Sequence, residues 1–537
     1  MDKVCRYKFR VVDDVDLVEI NNLRRNVNEA VKHPEPVLSL VAPWDQKWDK
    51  LAWANVLYDE EDQLFKMWYS VVRRKGDDFD GSWKTAYAIS RDGVHWDKPI
   101  LGMVEDNGSK KNNYILPEMG VFAPSIVIDP SDIPARRYKM LAVVEGVYGS
   151  DRGTAWAKFH CPVSLAYSAD GIVWDRPPHV NPVIRGVADG GTCLFYDPDR
   201  RKYVLLTRRV PNLPRDVSQY ESYDLVNWED RGRILVPGDE YDAPDMFNIQ
   251  YMVVVRDEDL YLGLISTHYS LPHGDVFEHW NAPPADYPNP RLGQIDIQLA
   301  YSRDGYTWAR PEDRSPVVPN GEPGSLDAGI LFPSPNPIVR NGETWIYYRG
   351  YTYRHNHWSQ QDPHPELDKE DFRDRTSIML ARMPEDHWVS LDAVSGEGCF
   401  VCKPWGPPHE VFVNADAEGG SIAVELVTPY GETMPGYSRQ ECIAVTGNGK
   451  DQEIKWQNGR HPFDFAEEYR GGVLAKFYLK NAKLYSYTFT LPDADGQLER
   501  DRVNNRWLES IKHRSDNWGQ SSTEPAIGLR QLGGPGS

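Results

Sequence analysis

The chain has 537 residues, 40% apolar and 26% charged, enough for two or three domains with a substantial core. Sixty Lys and Arg against 80 Asp and Glu leave a formal charge of −20, which repels phosphate backbones and anionic lipid and argues against nucleic-acid and membrane partners. The 18 Trp, 29 Tyr and 16 Phe supply broad apolar surfaces or platforms for stacking on sugars.

The opening stretch, "MDKVCRYKFRVVDDVDLVEINN", has no apolar run long enough for a signal-peptide core, and no stretch of the chain has membrane-spanning length. The expectation is a cytoplasmic protein. Six scattered cysteines suit packing thiols rather than a disulfide framework. The single C-x-x-C, Cys399 to Cys402, lacks a second ligand pair at zinc-finger spacing, so neither a metal nor a cofactor is expected.

In chain order, a phrase recurs. "SRDGVHW" starts at Ser90, "SADGIVW" at Ser168, "SYDLVNW" at Ser222, "SRDGYTW" at Ser302, and a decayed copy, "RMPEDHW", at Arg382. Each follows a strand–turn–strand pattern such as "ANVLYDEEDQLFKMWYS" or "TCLFYDPDRRKYVLLTRR", then a third strand such as "TAYAIS" or "IQLAYS". Five units of this length are too long for a solenoid and suit propeller blades. The phrase reads as the turn between the two outer strands, with Asp-Gly supplying positive φ and the Trp closing over the gap to the next blade.

After about residue 395 the pattern becomes apolar–polar alternation with turns, as in "EVFVNADAEGGSIAVELV". Half-exposed antiparallel strands read this way. The fold expected is all-β: a five-bladed β-propeller over 1–395, an antiparallel β-sandwich over 396–492, and a helix or flexible tail over 493–537.

In a propeller, the start of each innermost strand lies beside the end of the next, so these positions ring one mouth of the axial channel. The starts give Trp53 with Asn55, Ala123, Asp189, Asp245 with Asn248, and Asp327; the ends give Tyr69, Glu145, Arg208 with Arg209, His268, and Arg349 followed by His355. Converging carboxyls can divide acid and base roles on a sugar. Asp189, Asp245, Asp327 and Glu145 are the candidate catalytic residues. Trp53, Asn55, Arg208, Asn248, His268, Arg349 and His355 are the candidate substrate holders. The plainer alternative has the aspartates in structural ion pairs with Arg208 and Arg349. His355 and His357 lack a third ligand at fixed spacing.

"AYSRDGYTW", "YDPDRRKYVLL", the five-unit arithmetic and the trailing β-region resemble the five-bladed propeller glycosidases of families 32, 43 and 68. "NNYILPE", "ARRYKML", "GSLDAGI", "VSLDA" and "VNADAEGGSIAVEL" bring the chain closer to bacterial proteins grouped as glycosyl hydrolase, family 32 N-terminal-like. The resemblance implies a propeller acting on glycosides. Where family 32 carries its first two catalytic carboxyls this chain has Ala52 and Ala123, and its third falls at Gly190, beside Asp189.

The reading is therefore a hydrolase acting on a small glycoside or oligosaccharide in the axial funnel by carboxylate acid/base chemistry, with a homo-oligomer compatible. Two alternatives stay open. Phosphorolysis or elimination would use Arg208, Arg209 and Arg349 to bind phosphate or a substrate carboxylate. A non-catalytic sugar-binding propeller would explain the missing carboxyls of the first two blades.

Overall fold

The computed structural model describes residues 4–48, 50–72, 83–116, 122–143, 161–187, 191–208, 215–243, 246–258, 260–269, 293–354 and 376–492. Strands dominate them, and helix is confined among them to short 3-10 turns such as Pro43–Asp45 and Pro134–Arg136. No helix among them is long and apolar enough to cross a membrane. The chain divides into two compact units, one of Val11–Asp13 and Arg24–Leu391, the other of Met1–Arg10, Asp14–Leu23 and Asp392 onward.

The larger unit is a succession of antiparallel meanders. The first sheet runs Lys50–Asp59, Leu64–Val72, Trp83–Ser90, Tyr114–Leu116; the second Phe122–Ile128, Tyr138–Val143, Cys161–Ser168, Ile184–Val187; the third Cys193–Asp197, Lys202–Thr207, Val217–Ser222, Glu229–Leu235. Met246–Asp257, Leu260–Tyr269 and Ile295–Ser302 form the next meander. A single parallel pair, Ile295 with Ile330, joins it to the last, which runs Ile330–Pro333, Glu343–Tyr351, Thr376–Pro384 and ends on Val31–Lys32 from the beginning of the chain.

Both faces of these sheets are covered, so their central strands read as apolar runs rather than alternations. Leu64–Val72 is buried at every position but its first. Trp68 and Tyr87 of the first sheet pack on Ile126, Tyr138 and Met140 of the second. Leu141 and Val163 of the second pack on Leu194 and Tyr203 of the third. Trp345, Tyr347 and Leu380 of the last sheet pack on Val56, Phe65 and Met67 of the first.

Polar latches repeat between sheets. In the first three sheets the Asp at the end of the innermost strand accepts the phenol of a Tyr near the start of the next sheet's second strand: Asp59 from Tyr138, Asp129 from Tyr203, and Asp197 from Tyr261. Asp59 also binds Lys66 at 2.9 Å and both terminal nitrogens of Arg137.

The recurring phrase forms one turn four times. At Ser90, Ser168, Ser222 and Ser302 the hydroxyl donates at 3.0 Å to the Asp two residues on. That Asp then accepts the backbone N–H groups two and three residues on. The residue after the Asp has positive φ, a glycine in three copies and Leu225 in the other. The Trp does not reach toward the next sheet as expected. In three copies the indole N–H closes on its own turn, as Trp96 does on the Gly93 carbonyl at 3.1 Å, and the rings of Trp96, Trp174 and Trp228 join the clusters shared with the preceding sheet. That sheet also donates to the turn: Trp68 to the Gly171 carbonyl at 2.6 Å and Tyr347 to that of Gly93 at 2.7 Å.

Gly171 combines a φ of +79° with a Cβ position 2.7 Å from the Trp68 ring. Gly171→Ala is expected to cost about 2–4 kcal/mol through left-handed strain plus overpacking. Gly102→Ala, with φ +69° and open space, should lose only about 1 kcal/mol. Equal losses in urea titrations of the two variants would show that the Trp68 contact does not matter.

The smaller unit corrects the expected boundary. Val4–Arg10 and Leu17–Asn21 were assigned to the first domain, 1–395, but the former pairs with Lys483–Pro492 and the latter with Glu397–Cys402. One sheet of this unit has the order Cys442–Ile443, Asn448–Trp456, Val411–Asp416, Lys483–Pro492; the other Leu17–Asn21, Glu397–Cys402, Leu474–Lys480, Ser421–Val427. Burial alternates residue by residue along Ser421–Val427, one face packed and one wet. Phe400 and Phe477 of one sheet meet Tyr487 of the other. Cys402 is a packing thiol here: its sulfur accepts the Ala475 N–H, and burial pushes it up to about 12. The expected tail, 493–537, lies outside the described residues.

Candidate functional site

The innermost strands are irregular near their first residues. In Lys50–Asp59 the register slips between Ala52 and Ala54, making Trp53 the extra residue; in Met246–Asp257 it slips between Ile249 and Tyr251, making Gln250 the extra one. A bulge frees its residue from the ladder and re-aims its side chain, which is why bulges collect at rims and sites.

Trp53 meets Tyr251 edge-on at 5.8 Å and Phe332 at 5.6 Å. The Arg349 guanidinium lies 4.2 Å from the Trp53 ring centre, 4.4 Å from Phe332 and 4.9 Å from Tyr351. The sheet pleat places these groups. Tyr347, Arg349 and Tyr351 of Glu343–Tyr351 face the first sheet, where Tyr351 donates to the Leu51 carbonyl at 2.9 Å; Tyr348, between them, faces the other way.

Gln250 organises a second cluster. Its side-chain oxygen accepts Arg208 at 2.8 Å and also Arg215, so its amide nitrogen points to His268 Nδ1 at 3.1 Å. Asn248 accepts the Arg215 backbone N–H at 2.7 Å and turns its own amide nitrogen to the same Nδ1 at 3.3 Å. Two donors converge on Nδ1, which makes it an acceptor and leaves the ring hydrogen on Nε2.

On the strand beyond His268 sits Asp296, opposite Thr267 in register and 6% exposed. It accepts hydrogen bonds from Thr267 and from Tyr269, the latter at 2.9 Å. Burial pushes its carboxyl up, and Tyr269, Gln298 and Arg310 only partly oppose this, so it titrates at about 7. Arg310 is spent elsewhere, on Asp242 and on Gln298 at 2.7 Å.

Asp327 is the opposite case. Burial pushes its carboxyl up as well, but Lys32 at 2.7 Å, Ser325 at 2.8 Å and Tyr348 at 3.0 Å outweigh it and hold the group below the ordinary range. Gly321 closes over it: a Cβ there would lie 2.1 Å from the Asp327 carboxylate. The Asn320 amide ties the two segments together, donating to the carbonyls of Ile295 at 3.1 Å and Asp327 at 3.5 Å.

No protein-family model matches the chain. No curated protein matches it either. Solved structures do. A family 32 β-fructofuranosidase of Bombyx mori is similar with 13% identity and a TM-score of 0.42, over 85% of this chain and 94% of that one. A protein described as a glycoside hydrolase has 15% identity and a TM-score of 0.41, over 66% and 94%. A thermostable family 43 glycoside hydrolase has 14% identity and a TM-score of 0.38, over 63% and 92%. Families 32 and 43 are two of those the sequence resembles.

Of the expected site residues, the structure brings Trp53 and Arg349 together, and separately Arg208, Asn248 and His268. Asn55 serves the scaffold, its oxygen accepting the Ile126 N–H of the second sheet at 2.9 Å. Asp327 pairs with Lys32 rather than with an arginine. Asp189, Asp245, Glu145, His355 and His357 lie outside the described residues. Sequence reasoning missed Gln250, Lys32 and Asp296. For Asp296 a signal existed: an acid inside the apolar strand "IDIQL" is an expensive residue to bury without a purpose. A cleft of about 490 Å³ elsewhere, lined by Trp44, Lys47, Asp106 and Lys111, contains none of these groups.

Proposed function

We propose that the larger unit is a five-bladed β-propeller accompanied by a C-terminal β-sandwich, and that its axial mouth cleaves glycosides by carboxylate acid/base chemistry. The propeller reading is supported by five successive meanders and by the packing of the last on the first. One observation carries the chemistry: two buried carboxyls on adjoining segments are pushed in opposite directions, Asp296 up to about 7, so that it keeps its proton below neutrality, and Asp327 down, so that it is ionised there. Environments that push two carboxyls apart assign acid and base roles.

In this reading Asp296 protonates the leaving glycosidic oxygen, and Asp327 stabilises the positive charge that develops on the sugar as the bond breaks. Arg208, Asn248, Gln250 and His268 form a hydrogen-bonding wall suited to sugar hydroxyls. Asp189, Asp245 and Glu145 remain candidates for the base that activates water.

The test is a screen of the full-length protein against varied α- and β-glycosides, with and without inorganic phosphate, reading released reducing sugar. Phosphate-independent release from at least one glycoside is expected. Saturable glycan binding with no product after prolonged incubation would replace the enzyme with a sugar-binding propeller.

A further inference from the structure

Arg349 is only 5% exposed, yet among the described residues no carboxylate forms an ion pair with it. Other enclosed arginines of the same unit are matched: Arg137 with Asp59, Arg200 with Asp197 and Glu221, Arg310 with Asp242. Arg349 instead meets ring faces, and among the described residues its Nε has no hydrogen-bond partner. The nearby phenols are committed elsewhere, Tyr351 to the Leu51 carbonyl at 2.9 Å and Tyr251 to that of Thr192 at 3.4 Å.

A guanidinium stays charged in proteins, and burying it costs several kcal/mol unless an anion or enough acceptors face it. Ring contacts offset only part of this. Among the described residues no acceptor takes up the planar fork of N–H donors of Arg349. That fork matches the two oxygens of a carboxylate or phosphate, and the rings hold it rigid. Trp53, on its bulge and only partly buried, forms one wall of such a box.

We propose that Arg349, boxed by Trp53, Phe332 and Tyr351, is a binding site for an oxyanion, carried either by an acidic sugar as its carboxylate or by free phosphate. This deepens the glycoside reading by giving its ligand a negative group. The site's occupancy can be measured without turnover.

The experiment titrates the full-length protein with inorganic phosphate, glucuronate and neutral glucose, against sodium chloride at matched ionic strength, by calorimetry and by Tm. Saturable binding of phosphate, glucuronate or both is expected, with affinity falling about tenfold or more in Arg349→Met. Phosphate alone identifies a free oxyanion as the ligand, glucuronate alone an acidic sugar. Without ligand, Arg349→Met should melt at or above the wild-type Tm, because an uncompensated buried charge is removed; a purely structural arginine would show a large fall. If the Met variant does not fold, Arg349→Lys carries the test: it keeps the charge, loses the fork and should bind more weakly. Neither oxyanion binding beyond chloride, or binding unchanged in a folded variant, overturns the proposal. Oxyanion binding with no glycoside turnover leaves this site standing and removes the glycosidase reading; turnover with no oxyanion effect does the reverse.

Discussion

Asp296→Asn is expected to lower glycoside turnover by about 100-fold or more, the range for loss of a general acid, and to abolish the alkaline fall in the wild-type rate near pH 7. The same variant should change stability in a pH-dependent way. The native carboxyl titrates at about 7 against an ordinary value of 3.8, so between these values the native state holds a proton that the unfolded chain has released. Wild-type stability contributed by this proton is full below pH 3.8 and is lost as pH rises toward 7. An Asn at this position has no such loss. The variant's advantage should be negligible at pH 4 and reach a few kcal/mol, to order of magnitude, at pH 8. Turnover within threefold of wild type would remove Asp296 from the acid role. A pH-independent stability difference would show that its carboxyl is not held protonated.

Asp59→Ala should be the most damaging single change in the larger unit, at about 3–5 kcal/mol. The Asp59 side chain is fully enclosed, with Lys66 5% and Arg137 14% exposed, so deletion leaves the two cations with only the exposed Asp62 and Glu61 and takes away the acceptor of the Tyr138 hydroxyl. Burial pushes the Asp59 carboxyl up, but Arg137, Tyr138 and Lys66 outweigh it and hold it far below the ordinary range. With the native value depressed, the stabilisation is present above the unfolded value of 3.8 and is lost as pH falls below it. Denaturant titrations at pH 7 and pH 3 should show a large wild-type-to-variant gap that narrows at the lower pH. The exposed pair Arg470 and Glu467 is the control, and Glu467→Ala should change nothing measurable. A loss below about 1 kcal/mol for Asp59→Ala would mean the cations find other partners.

The features legible in the sequence are those whose causes are local. The Ser–Asp–Trp turns could be read because every bond in them spans two or three residues. The pairing of Asp327 with Lys32 spans 295 positions and leaves no local trace. The same holds for Val4–Arg10, whose partners run from Ser486 to Pro492 and whose own pattern resembles any edge strand. At the site, phase along the repeat found Trp53, Arg349, Arg208, Asn248 and His268, because an inner strand's start and its neighbour's end must be adjacent. Asp296 escaped the same count because it lies one strand farther out, and its proton depends on burial that only tertiary packing supplies.

The last meander of the larger unit ends on Val31–Lys32, with Lys32 paired to Ala381. In a chain made from its N-terminus this segment emerges among the first, yet its partner is synthesised only after nearly the whole unit. Joining segments so distant is the slow, entropically costly step of a β-rich topology. Lys32 is also the cation that holds Asp327 ionised. The Asp327–Lys32 pair is thus completed only when strands from the two ends of the unit meet, so a chain stalled short of that step would keep its other sheets while Asp327 lacks its cation.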